Sequence, residues 1–259
     1  SGGAGRLKAE TSVAETVGLV WTSEDNEIGA SVDAYEYNIS SQISSVSGTD
    51  ITNTCYRSPN FASEPLCNQF TRRDGTNDDY GIDEIFGGYL NVASQKIRGI
   101  DLAFNYNIDT DMGRFGVDYK HNIQLEKTYQ LFADSEPEQY IGDVGSPKHS
   151  GIARFSLKRD GWSYIWSTQY TGKADDWKYF SSTTTAYRGE RYNFIAHVPS
   201  YFVHTASAMT SFESGVDLTF GVANVFGKEP PKVSAAGGFY QAGYSALYSQ
   251  YDTIGRRVF

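Results

Sequence analysis

Between Phe115 and Glu126 the chain reads FGVDYKHNIQLE, and every second residue carries a large apolar group or a ring: Phe115, Val117, Tyr119, His121, Ile123 and Leu125. Between them lie Gly116, Asp118, Lys120, Asn122, Gln124 and Glu126. A period of two belongs to a β-strand with one apolar and one wet face. A globular strand usually runs about five or six residues, and this alternation holds roughly twice as long. A long apolar face needs a cover, either a protein core or lipid.

Composition leaves both covers open. Aromatic residues make up 15% of the chain, led by 19 Tyr and 15 Phe, and mean hydropathy is −0.45. No run of about 18 apolar residues occurs, which excludes a transmembrane helix. A transmembrane barrel remains possible, because only alternate residues of its strands face lipid. The net charge of −9 argues against a nucleic-acid partner, which would need a basic face. The opening SGGAGRLKAE lacks the apolar segment of a signal peptide, as in a mature chain or an internal piece of one.

The alternation recurs. GIDLAFNYNI sets Ile100, Leu102, Phe104, Tyr106 and Ile108 against Asp101, Asn105 and Asn107. ARFSLKRD, WSYIWSTQY and GVDLTFGVANVF repeat the pattern, whereas the phase slips near Ala34–Tyr35 and no segment has a clear helical period. Nine strands are expected, at about 15–23, 28–44, 94–108, 114–132, 149–159, 162–174, 200–212, 214–226 and from near 253. The connections alternate between short ones (23–27, 109–113, 160–161, 213–214) and long ones (45–90, 133–148, 175–199, 227–249). Hairpins tight at one end and long at the other suit an outer-membrane barrel with short periplasmic turns and long extracellular loops. The apolar face then meets lipid, and the strand length follows from crossing the hydrocarbon at a tilt. Single-chain bacterial barrels have an even strand number, and Asp118, Lys120, Arg154 and Lys158 on the wet face need a wide interior. An odd set of nine therefore reads as an all-β, antiparallel part of a larger barrel.

Three stretches carry a family resemblance. LKAETSVAETVGLVW (Leu7–Trp21), YLNVASQKIRGIDLAFNY (Tyr89–Tyr106) and GVANVFGKEPP (Gly221–Pro231) resemble, in order, segments of TonB-dependent outer-membrane receptors, with Ala9 where proline is usual. The resemblance implies a barrel of 22 strands closed by a plug domain, of which residues 1–259 supply the C-terminal portion without plug or TonB box. It implies an integral outer-membrane transporter, not an enzyme, importing a scarce nutrient such as a ferric siderophore or an oligosaccharide. The implied partners are outer-membrane lipid, the receptor's remaining strands and plug, TonB acting through the plug, and the small-molecule substrate. An alternative is a structural barrel component of a larger outer-membrane assembly. The chain's departure from the family pattern after GRR suggests truncation at both ends.

Cys55 and Cys67 enclose residues 56–66, a Pro- and Ser-containing stretch. An even count at short spacing suits a disulfide in an oxidising compartment, free thiols being the alternative, and the loop also resembles a disulfide loop of the same family. The best candidate for ligand contact is the segment Tyr179–Phe194, where Tyr187, Arg188, Arg191 and Tyr192 combine rings with fixed cations. Such groups suit an anionic siderophore through charge-assisted hydrogen bonds, or a sugar through ring stacking; a loop that merely packs on its neighbours is the plainer reading. FYQAGYSALYSQY (Phe239–Tyr251) is similarly aromatic, while the acidic stretch 74–84 reads as a solvated loop. NVFGKEPP reads as a strand exit, with Asn224 and Gly227 suited to the turn. His121, His149, His197 and His204 are dispersed, and neither a metal nor a cofactor is expected.

Overall fold

A computed structural model describes residues 7–76, 79–133, 135–180, 182–234 and 250–259. Nine strands follow one another in a single sheet: β1 (Thr11–Thr22), β2 (Ile28–Val46), β3 (Gly88–Thr110), β4 (Gly113–Gln130), β5 (His149–Arg159), β6 (Trp162–Thr171), β7 (Tyr201–Ser211), β8 (Asp217–Ala223) and β9 (Arg257–Val258). Sheet order equals chain order, and a two-residue strand, Glu138–Gln139, pairs beside β4. Among the described residues the path does not close: β1 and β9 are its two ends.

The turns at one end are tight for identifiable reasons. Asp160 (φ 49°) and Gly161 (φ 79°) join β5 to β6 in two residues, with Arg159 opposite Trp162. Two successive positive φ angles match the right-handed twist of the flanking strands. Ser23, Asp25 and Asn26 close the β1–β2 turn, where Ser23 Oγ and the Glu27 amide both donate to the Asp25 carboxylate. The Ser23 hydroxyl, then the amide, hold that carboxyl below its usual range.

Register confirms the phase of the alternation. One cross-strand row on one face is Val117–Phe155–Trp166–Ala206–Val222, and the next is Phe115–Leu157–Tyr164–Ala208–Phe220. On the opposite face Asp118 faces Arg154, and Arg154 faces Ser167. That polar face also includes Ile152, Ile165 and Val203, so its alternation is less strict than that of the apolar face. The apolar face is uncovered: Phe104, Phe155, Leu218 and Phe220 are 40–52% exposed.

Within β2 the structure refines the expectation. The shift from apolar even to apolar odd positions at Ala34–Tyr35 is no break in β2. Tyr35 takes its place on the polar face, where its hydroxyl accepts from Asn122 Nδ2 at 2.8 Å. The backbone irregularity lies further on, at Ser41 (φ 54°). There Asn91 Nδ2 donates to the Ser41 and Lys8 carbonyls, at 2.7 and 2.9 Å, and Lys8 N donates back to Asn91 Oδ1.

Two compact units can be distinguished along the chain, residues 1–14, 37–96 and 128–138 forming one and the remaining residues the other. The first contains a helix that strand periodicity missed, α1 (Gly48–Arg57). Ser47 Oγ accepts from the Asp50 amide while the Asp50 carboxylate accepts from the Ser47 amide, a reciprocal cap. Only Ile51 and Cys55, four residues apart on one side of the helix, are fully enclosed, which explains why so short a helix left little periodic signal. Val46, Ile51 and Leu66 form its core, with Phe70, Leu90, Val92 and Phe132 packed on it. Cys55 and Cys67 are bonded, with Cα atoms 5.0 Å apart. A hairpin of Phe70–Arg72 with Ile82–Ile85 completes this unit, and the Arg72 guanidinium lies 5.5 Å from the Tyr56 ring centre.

Candidate functional site

In the second unit the polar face of β2–β6 lines a cleft of about 900 Å³ that includes Asp33, Asp101, Lys120, Asn122, Ser150 and Gln169. Asn122 Nδ2 donates to both the Tyr35 hydroxyl and Asp101 Oδ1, each at 2.8 Å, and so fixes the two groups across three strands. Glycine makes room for such side chains to lie flat on the sheet. A Cβ at Gly18 would fall 1.9 Å from an Asp33 carboxylate oxygen, and one at Gly99 would fall 2.4 Å from the Tyr35 hydroxyl. The sequence phase placed Lys120 on this wall; the cooperation of Asp33, Tyr35, Asp101 and Asn122 lies in cross-strand register, which no linear motif records.

The segment read as a ligand-contacting loop is an antiparallel hairpin, Thr184–Tyr187 with Glu190–Asn193. Its turn is Arg188–Gly189, with φ of 51° and 85°, the same two-residue geometry as Asp160–Gly161. Tyr187 ends one strand opposite Glu190, Arg188 occupies the turn, and Arg191 and Tyr192 follow on the return strand opposite Ala186 and Thr185. Strand alternation sends the Arg191 and Tyr192 side chains to opposite faces, and both are exposed. One short hairpin therefore carries all four residues, but it does not gather them onto one surface. The other aromatic candidate, Phe239–Tyr251, lies outside the described residues except for its end, where Tyr251 is 4% exposed and meets Tyr201 edge-on at 5.2 Å.

Sequence reasoning missed a polar lock between the connections 133–148 and 175–199. Asp143 is 6% exposed, accepts from the Tyr179 hydroxyl at 2.6 Å and pairs with Lys178 Nζ at 2.8 Å. Lys178 also donates to the Gln139 carbonyl and lies over the Tyr140 and Tyr179 rings. Beside it Asp176 Oδ1 accepts from the Val144 amide at 2.9 Å. Burial raises the Asp176 carboxyl above its usual range, and the neighbouring Asp143 and Asp175 charges add to this against the Val144 bond. The lock seals a small core of Val144, Ala174, Val198, Tyr201, Val233 and Tyr251.

Asn224 is fully buried at φ 50°, and its side chain both accepts from the Lys228 amide and donates to the Lys228 carbonyl, at 2.7 and 2.9 Å. The NVFGKEPP stretch thus has a structural part, closing the exit from β8. In the acidic stretch, Asp74 accepts from the Thr76 amide and hydroxyl, and Asp79 pairs with Arg73. The histidines are less dispersed than their spacing suggests: His121 Nε2 and His149 Nδ1 are 3.1 Å apart.

Residues 1–225 match the family model described as TonB dependent receptor-like, beta-barrel. Among solved structures, the chain is similar to a ferric enterobactin receptor from Pseudomonas aeruginosa, with 16% identity and a TM-score of 0.58, over 98% of this chain and 30% of that one. It is similar also to the FrpB iron transporter from Neisseria meningitidis, with 13% identity and a TM-score of 0.53, over 98% of this chain and 31% of that one. A third similar structure, a complex of FpvAI with pyocin S2, has 14% identity and a TM-score of 0.53, over 97% of this chain and 26% of that one. No curated protein sequence matches. The chain spans about a third of the length of the solved receptors it resembles. The chain belongs to the TonB-dependent receptor β-barrel family, a family of outer-membrane receptors, and its nine-stranded sheet is a portion of such a barrel.

Proposed function

We propose that the chain is the C-terminal part of the barrel of a TonB-dependent transporter that takes up a scarce, chelated nutrient, a ferric siderophore in the first instance. The observation that carries this reading is the two-faced sheet. Its apolar side chains stand exposed in register, and its polar face builds a cleft held by hydrogen bonds across three strands. The apolar face suits lipid and the polar face suits a wet channel. The long connections then lie on the extracellular side and the short turns in the periplasm. The remaining strands and a plug complete the barrel, and TonB acts through the plug. Similarity to a ferric enterobactin receptor and an iron transporter favours an iron chelate over an oligosaccharide. Arg188 and Arg191, exposed on the Thr184–Asn193 hairpin, are the cations proposed to meet an anionic chelate, and Tyr187 and Tyr192 are the ring-bearing residues proposed for contact on the same hairpin. Transport, not catalysis, is the activity.

The test is iron-limited growth of a strain that lacks its other iron receptors and makes the full-length protein. Growth on added ferric siderophores that disappears when TonB is deleted supports the reading. Uptake that persists without TonB, or no uptake from a panel of catecholate and hydroxamate chelates, contradicts it. Replacing Arg188 and Arg191 together by alanine should weaken capture of the chelate while leaving the amount of receptor in the membrane unchanged.

A further inference from the structure

The apolar face of the second unit changes character along its strands. Tyr119, Ala153, Thr168 and His204 form one cross-strand row, directly beyond the Val117–Phe155–Trp166–Ala206 row. Polar groups gather on this row and beyond it, in two hydrogen-bonded chains. In the first, the Tyr119 hydroxyl meets His121 Nδ1 at 2.9 Å, and His121 Nε2 meets His149 Nδ1 at 3.1 Å. In the second, Trp166 Nε1 donates to Thr168 Oγ1 at 3.2 Å, and Thr168 Oγ1 meets His204 Nδ1 at 3.0 Å.

Counting hydrogens decides what can lie against these chains. With neutral imidazoles, Tyr119, His121 and His149 carry one polar hydrogen each, and two are used between them. Run in one direction, the chain leaves His149 Nε2–H without an acceptor; run in the other, it leaves the Tyr119 hydroxyl. Trp166, Thr168 and His204 likewise carry three hydrogens for two internal bonds, so a donor is left on His204 or on Thr168. Among the described residues, neither chain ends on a further protein acceptor. Hydrocarbon offers none, and an unmet donor there is strongly destabilising. Water and the phosphate and ester oxygens of lipid headgroups do offer acceptors.

Resting on the membrane reading above, we infer that the lipid–water boundary on the long-connection side crosses the sheet at the level of these two chains. It runs through His204 on β7 and Thr168 on β6 to His149 on β5 and His121 on β4, and the headgroup layer takes the spare donors. The rings agree with the donors. Tyr170 and Phe202 lie 5.0 Å apart beside His121, and Phe226 packs at 5.1 Å on His204, an aromatic concentration of the kind that sits at headgroup level. On the other side of the line, Phe155, Phe220 and Leu218 present hydrocarbon alone.

Single cysteines at Phe155, Phe220 and Phe202, spin-labelled in the full-length receptor reconstituted in phospholipid vesicles, test the line. Labels at Phe155 and Phe220 should collide mainly with oxygen, and the label at Phe202 mainly with a water-soluble nickel complex. A Phe202 label as protected from nickel as the Phe155 label overturns the boundary while leaving the membrane reading intact. Nickel access at Phe155 and Phe220 themselves would instead sink the membrane reading. An arginine scan gives an independent measure: Phe155→Arg should lower the folded-to-unfolded ratio in lipid on the order of 30-fold or more, and Phe202→Arg by only a few-fold. Equal losses at the two positions contradict the inference.

Discussion

In the first unit Ile51 and Cys55 are fully enclosed and Val46 is 2% exposed, whereas in the second Phe155, Leu218 and Phe220 stand 42%, 44% and 52% exposed. The first has a core of its own, a reciprocally capped helix and a covalent crosslink, the means by which a small segment holds together in water. Phe155, Leu218 and Phe220 lie on the apolar phase of the sheet and outside the small core of the second unit. The pair teaches that hydrophobicity alone does not identify a core; which phase of the backbone carries it, and what that phase faces, does. On the proposed membrane reading, a helix that buries two side chains and a sheet that exposes apolar ones can share one chain because each answers to a different solvent.

Truncating Ile51 to alanine should give the largest separation between the two. A cavity at a fully enclosed site costs about 2–5 kcal/mol, and limited proteolysis should report it as rapid cleavage within 45–90. Phe155→Ala, on an exposed face, should leave assembly of the full-length receptor nearly unchanged. Comparable losses at the two positions would remove the contrast.

Lysine substitution probes the same contrast from the lipid side. Val117→Lys, Phe104→Lys and Leu218→Lys should each impair assembly by about 2–4 kcal/mol if placed at mid-depth. Asp118→Lys, Asn105→Lys and Thr219→Lys, on the opposite phase, should assemble at close to the wild-type yield. Heat-modifiable migration of the six variants is the readout, and equal yields would reverse the assigned faces.

Reducing Cys55–Cys67 should destabilise the first unit by about 2–3 kcal/mol, without loss of the assembled sheet. Both thiols should resist alkylation until a reductant is added, and alkylation without one would contradict the bond. The smallest effect expected is on the lock of the second unit. Asp176 has its carboxyl raised by burial, so the docked connection holds the proton more tightly than the undocked one. Docking should strengthen as pH falls towards the ordinary carboxylate value and weaken as pH rises through the raised one. Cleavage within 175–199 should quicken as pH rises above the ordinary carboxylate value, and Asp176→Asn should remove that dependence.

These regions were unequally legible in the sequence. The strands of the wall were, because a sustained period of two fits no backbone but an extended one, and because Asp160–Gly161 advertises a two-residue turn. β3 begins at Gly88, earlier than the expected residue 94, and in this added part the Asn91 side chain bridges the Ser41 carbonyl and Lys8, a contact between residues far apart in the chain. The helix α1 escaped a search for apolar periodicity, although Ser47 and Asp50, three apart, were its signal. The lock of Asp143, Lys178 and Tyr179 and the bridge of Asn122 to Tyr35 and Asp101 depend on partners far apart in the chain. Nothing local marks them. Tyr187, Arg188, Arg191 and Tyr192 were singled out for their chemistry, and the hairpin that presents them could be read only from Arg188 and Gly189 as a turn.

The central claim is that the two ends of this sheet, β1 and β9, must be joined by further strands before the apolar face can enter a bilayer. On β1, Val17, Leu19 and Val20 are 74–78% exposed, and its outer backbone edge has no strand beside it among the described residues. Unpaired backbone groups in hydrocarbon cost several kcal/mol each. The direct measurement compares residues 1–259 alone with the full reading frame, each refolded with vesicles, by heat-modifiable migration and protection of the sheet from added protease. The full-length protein should insert, migrate fast when unheated and resist digestion, while residues 1–259 alone should do none of these. A stable, protease-resistant, heat-modifiable monomer of residues 1–259 would contradict the account.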